Sequence, residues 1–244
     1  SLNVSGLEGN PGFKITPRLV DSLLKACTWG DLLLSCSQRI RPYEIHEGET
    51  NEVYDRWQRR LYNDILHHNK RNLKLKRIID EIIADFDAIP IDETVKKPRV
   101  GVVGEILVKF QPDANNDVVG VIESEGGEAV MPGLADFMLY CLYNNNFKRD
   151  NLGMKASTAR LCNLAIWGME SYRKHAVKVM KANPKFASRA PGHIAEIAEG
   201  AKNVLQLGHC TGEGWFLTGE MIELITTGVP NIVCVQPFAC LPNH

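Results

Sequence analysis

Two runs of β-branched and small apolar residues stand in a chain whose other apolar residues recur at helical spacing. They are Arg99-Val100-Gly101-Val102-Val103-Gly104 and Asn231-Ile232-Val233-Cys234-Val235-Gln236-Pro237. Uninterrupted runs of this kind suit strands covered on both faces, as in a parallel sheet. After the first run, Asn115-Asn116 caps a stretch carrying Val118, Val119, Val121 and Ile122 that stops at Gly126-Gly127. A second strand, Ala129-Val130-Met131-Pro132, follows. Strand, helix and strand within about 30 residues make a βαβ unit, whose strands run parallel. The predicted fold class is α/β: a Rossmann-like parallel sheet of three or four strands with flanking helices, behind a helical N-terminal appendage.

The boundary between the two parts falls between Ile89-Pro90 and Lys97-Pro98, giving a mostly helical unit at 1–97 and the α/β domain at 98–244. Thr16-Pro17 reads as a cap followed by proline in the first helical turn. The helix it opens is expected to reach Trp29-Gly30, with Asp31 capping the next. A long helical pattern runs from Thr50 to Phe86 and contains the basic run 70–77, read as a solvated helix face because acids flank it. His67-His68 read as solvent-facing. Further helices are predicted over 134–147, 156–180 and 194–205, with another carrying Phe216, Leu217, Met221, Ile222, Leu224 and Ile225. Val204-Leu205-Gln206-Leu207-Gly208 is apolar enough to be a further strand ending at His209-Cys210. The chain begins at Ser1 rather than methionine and stops where a doubly wound fold would send its next helix, so a fragment of something longer is expected.

Charge and composition exclude several functions. A net charge of −1 lacks the surplus of Lys and Arg that a nucleic-acid binder needs. No run approaches the ~20 apolar residues of a membrane span, and the first residues are no signal peptide. Seven cysteines without a secretory signal, an odd number, point to reduced thiols in a cytoplasmic setting. There is no CxxC pair, and no Walker, Ser-His-Asp or H-E-x-x-H pattern.

In open parallel sheets, ligands bind outside the carboxyl ends of the strands. That rule selects the loops 104–117, 131–135 and 236–244, together with the turn 208–214 before a helix. Cys240 lies in the last strand loop, flanked by Phe238 and Pro242, placed like a ligand or nucleophile; a packed thiol is the bland alternative. Cys210 sits where the amides of Thr211, Gly212 and Gly214 would stabilise a thiolate or a cluster's negative charge. Cys27, Cys141, Cys162 and Cys234 read as core thiols. Glu105, at a strand end, and Glu213 are candidate acid–base groups, with structural hydrogen bonding and helix capping as their bland alternatives. Glu220 and Glu223 share the helical face of Glu213 and read as solvated.

Several stretches together resemble a known family. These are Asn10-Pro11-Gly12-Phe13-Lys14, Arg41-Pro42-Tyr43-Glu44, Val103-Gly104-Glu105-Ile106-Leu107-Val108-Lys109-Phe110, Gly212-Glu213-Gly214-Trp215 and Gln236-Pro237-Phe238-Ala239-Cys240-Leu241-Pro242-Asn243-His244. Over nearly the whole chain they resemble the large CoA-substrate-specific enzyme activase proteins, which are related to 2-hydroxyacyl-CoA dehydratases and their activators. The likeness covers the dehydratase-like part, because no phosphate loop of the ATPase part is present. It implies low-potential electron transfer in anaerobic metabolism, with [4Fe-4S] clusters held on cysteines, here Cys210 and Cys240, and a CoA-thioester or similar substrate. It also implies partners in the remaining domains of the same long polypeptide, including an ATPase activator module. The loop 104–117 contains no cysteine, so the complete ligand set is not visible in this chain. Two readings from other classes stand beside this one: a non-catalytic docking or scaffolding module, and a CoA- or nucleotide-binding domain using the turn 211–214.

Overall fold

A computed structural model of the protein describes residues 16–67 and 75–240. Helix α1 (Pro17–Ile40) starts as the sequence predicts, with the Thr16 hydroxyl accepting from the Leu19 amide at 3.1 Å. It does not stop at Gly30. A helical glycine costs only about 1 kcal/mol, and the buried stripe Trp29, Leu32, Leu33, Cys36 and Ile40 continues straight through it. A 3₁₀ turn at Arg41–Tyr43 leads to α2 (Glu49–His67) and α3 (Leu75–Asp87). Leu33, Trp57, Ile78, Ile79, Ile82 and Phe86 from these helices share one core, which Ala176 and Met180 of a later helix complete. Within the basic run, residues 70–74 lie outside the described residues, as does His68; Lys76 and Arg77 are exposed, and Arg77 pairs with Glu81 at 2.6 Å.

The sheet has three strands, β1 (Arg99–Gly104), β2 (Glu128–Val130) and β3 (Asn231–Val235), in the order β2-β1-β3. Both pairings are parallel: Val100 lies opposite Ala129, and Gly101 opposite Ile232. Between β1 and β2 run three short helices, α4 (Ile106–Phe110), α5 (Pro112–Asn115) and α6 (Val118–Ser124). The remaining helices are α7 (Leu134–Asn151), α8 (Ala156–Ala182), α9 (Ile194–Ala201) and α10 (Gly214–Thr226). Leu217 and Leu224 of α10 pack with Val229 against Val103 and Val130 of the sheet. The α/β class, the parallel sheet and the N-terminal helical region are as the sequence predicts.

Two further expectations fail. Residues 204–208 form turns, not a strand: the amides of Val204 and Leu205 bond back to the Ala201 carbonyl as α9 unwinds. Leu205 and Leu207 spend their apolar surface on a second core containing Tyr140, Trp215 and Phe216. Among the supposed core thiols, Cys141 and Cys234 are exposed. β3 is an edge strand among the described residues and is nowhere fully buried, with Asn231 and Cys234 exposed.

Candidate functional site at the carboxyl end of the sheet

The chain leaves β1 through Gly104, whose φ of 143° is disfavoured for other residues. Glu105 follows. Its amide donates to the Val235 carbonyl at 3.0 Å, which joins the exits of β1 and β3. Its carboxylate accepts from the Val108 amide at 2.8 Å, so the candidate acid–base residue caps α4. Glu213 is buried and does not cap its own helix. Its Oε1 accepts from the Ile106 amide at 2.9 Å and so ties the turn 208–214 to the exit of β1.

That turn is tightly held. The Trp215 amide donates to the His209 carbonyl at 2.7 Å, and the Tyr140 hydroxyl donates to the Gly212 carbonyl at 2.9 Å. Gly214 has φ 48°, and a Cβ there would lie 2.0 Å from the His209 carbonyl oxygen. Cys210 is half-buried against the aromatic core, whereas Thr211 and Gly212 are exposed. Cys240 is also half-buried, in a turn closed by its own amide on the Pro237 carbonyl, with Phe238 fully exposed beside it. Asn243 and His244 lie outside the described residues.

The two cysteine loops therefore share the carboxyl end of the sheet, although the strand expected to deliver Cys210 is absent. A four-iron cluster is bound by four thiolates. These loops supply two, and among the described residues no three His, Cys, Asp or Glu side chains come together as a metal site. Two thiols are at most half of such a ligand set.

Sequence reasoning missed a cavity of about 110 Å³ at the exit of β2, lined by Asp31, Asp136, Arg173 and Glu223 with Leu32 and Val177. Asp31, the expected local cap, reaches across to α7 and accepts from the Leu134 and Ala135 amides at 2.8 and 2.9 Å. Gly133 makes room, since a Cβ there would lie 2.5 Å from the Asp31 carboxylate. Arg173 ion-pairs with Asp136 and with Glu170 and donates to the Gly192 carbonyl; Glu223 accepts from the Gly192 amide at 2.9 Å. Neighbouring this cavity, Lys109 and Glu220 form a wholly buried pair at 2.7 Å. Glu220 and Glu223 are thus turned inward, not solvated. The loop 131–135 was within reach of the strand-end rule. The four charged residues were not, because they come from separate helices.

Burial pushes Glu223 up to about 7, with the Asp136 charge adding to the effect. It pushes Asp31 up to about 6 against the Ala135 and Leu134 amides, and Glu220 to about 6 against the Lys109 charge. A carboxyl raised on folding holds more protons folded than unfolded. Its contribution favours folding at low pH and is lost as pH rises through the folded value. Stability should therefore fall from about pH 5 to about pH 7, with Glu223 accounting for roughly 2 kcal/mol. Urea midpoints measured across this range check it: Glu223→Gln should flatten the slope, and an unchanged slope contradicts the assignment.

Among the described residues no helix is long and apolar enough to cross a membrane. No protein-family model, curated protein or solved structure matches the chain.

Proposed function

We propose that this chain is a dehydratase-like α/β domain of an activase-related protein, taking part in iron–sulfur-dependent, low-potential electron transfer to a CoA-thioester or similar substrate. The observation that carries this reading is a shared location. The turn bearing Cys210, which lies between α9 and α10, is tied through Glu213 to Ile106 at the exit of β1, and the loop bearing Cys240 leaves β3, whose exit Glu105 joins to that of β1 through Val235. That end is where such sheets hold ligands, and it also carries the cavity lined by Glu223, whose carboxyl is raised to about 7 and can give or take a proton near neutrality. A bound cluster would supply one-electron transfer, and its remaining ligands would come from outside the described residues. Glu105 and Glu213 then act as positioning residues that fix the two loops, through the backbone bonds described above.

The docking reading has one observation in its favour. Leu161, Leu164 and Trp167 on α8 are each more than 60% exposed and follow one another at helical spacing. A single experiment separates the two readings: anaerobic iron and sulfide analysis of this chain together with its neighbouring domains. The electron-transfer reading expects a brown protein that loses about half or more of its iron in Cys210→Ser or Cys240→Ser, since a thiolate ligand has no good hydroxyl substitute. Full iron in both variants overturns ligation by these thiols. A colourless protein that still binds its neighbours overturns the electron-transfer reading in favour of docking.

A further inference from the structure

At the amino end of the sheet, opposite the thiol loops, three arginines crowd around one carboxylate. Glu128, the first residue of β2, accepts from Arg189 Nη2 at 2.6 Å and from the Tyr43 hydroxyl at 2.6 Å. Arg99, the first residue of β1, reaches the same carboxylate only at 3.6 Å. Arg39 donates from Nε to the Lys185 carbonyl at 3.0 Å, its guanidinium lying 4.8 Å from the Tyr43 ring centroid. Glu128 is therefore spent, and the arginines are not. Arg39 Nη1, Arg99 Nε and Nη2, and Arg189 Nε are buried with no hydrogen-bond partner among the described residues. A buried donor left unpaired costs roughly 1–3 kcal/mol, and such groups are rare in native proteins.

A groove of about 450 Å³ opens on this cluster. Its walls carry Arg39, Lys96, Lys97, Arg99 and Lys185, against Asp92, Glu93 and the occupied Glu128. Asp92 is turned onto the Thr94 amide and hydroxyl. Lys185 donates to the Asp87 and Ile89 carbonyls, whereas Lys96 and Lys97 form no ion pair among the described residues. The positive charge is close enough to act on itself: burial, and then the charges of Arg99 and Arg39, bring Arg189 down to about 10 even with Glu128 beside it.

We propose that this groove binds a phosphate-bearing small molecule, its phosphoryl oxygens taken by Lys96 and Lys97 at the rim and by the guanidinium groups of Arg39 and Arg99, which line the groove and turn their buried, unpaired nitrogens toward the ligand on binding. A phosphate matches the planar fork of arginine and accepts several charge-assisted hydrogen bonds at once. Its two negative charges supply what Glu128 alone does not. The binding is independent of the thiol loops, which lie at the other end of the strands.

The test uses inorganic phosphate and pyrophosphate as probes, with chloride at matched ionic strength as the reference. Calorimetric titration should give saturable binding of both probes, and each should raise the melting temperature above the chloride reference. Lys96→Gln combined with Lys97→Gln, both at the rim, should keep the fold and weaken binding about tenfold. Arg39→Lys should not restore what Arg39→Gln loses, because an ammonium lacks the fork. No saturable heat with either probe, a thermal shift equal to that of chloride, or unchanged affinity in the double lysine variant overturns the proposal.

Discussion

Lys109→Ala is expected to destabilise the protein by about 3–5 kcal/mol, the usual cost of removing one partner of a buried ion pair. The Lys109 and Glu220 side chains are 1% and 2% exposed, and the ammonium lies 2.7 Å from the carboxylate. Without Lys109, the carboxylate of Glu220 has Asp136 and Glu213 as its nearby charges, both acting against its ionisation. Replacing both members by apolar groups of similar size, Lys109→Met with Glu220→Leu, removes the attraction and the desolvation cost together. That double variant should therefore lie well above Lys109→Ala in stability. Denaturant midpoints of the wild type, Lys109→Ala and the double variant decide it. A single-variant loss below about 1 kcal/mol would mean that water reaches the pair. Because the pair joins α4, directly after β1, to α10, its loss should also loosen the turn that Glu213 holds against Ile106.

Gly104→Ala should be as damaging, for a different reason. At φ 143° the backbone is strained for any residue with a Cβ, and that Cβ would lie 1.9 Å from the Val235 carbonyl oxygen. Relief requires β1 and β3 to part at the very end where their loops meet, which also breaks the bond from the Glu105 amide to Val235. The expected loss is about 3 kcal/mol or more, the sum of a strained backbone and a broken strand end. Gly153→Ala is the fitting control, since Gly153 has φ 71° with nothing within 4 Å of its added methyl. Conformational strain alone should cost it only about 1 kcal/mol. Equal melting temperatures for the two variants would show that the contact with Val235 relaxes freely.

The failed expectations share a pattern. Asp31 looked like a cap because it follows Gly30, yet its partners are amides more than a hundred residues away. Val204 to Gly208 has strand-like composition, but α9 unwinds through it and β1 is already paired on both sides. The glutamates of α10 resembled a solvated face because their helix carries no local sign of what covers them. Lys109, Arg173 and the Gly192 amide arrive from other elements.

The sequence by itself marked the three strands that form, the βαβ connection and most helices, because apolar period, caps and glycine stops act within a few residues of the chain. It also marked the loops at the strand ends, since a parallel sheet leaves its ligand positions there whatever the side chains are. Tertiary structure alone decided which charges are buried and which of them are left unpaired. Glu220 is a surface acid or half of a buried pair depending on a lysine 111 residues distant. Arg39, Arg99 and Arg189 become an anion-seeking cluster only when α1, β1 and the turn after α8 meet over Glu128. Desolvation depends on what packs against a group, and that is fixed by the whole fold.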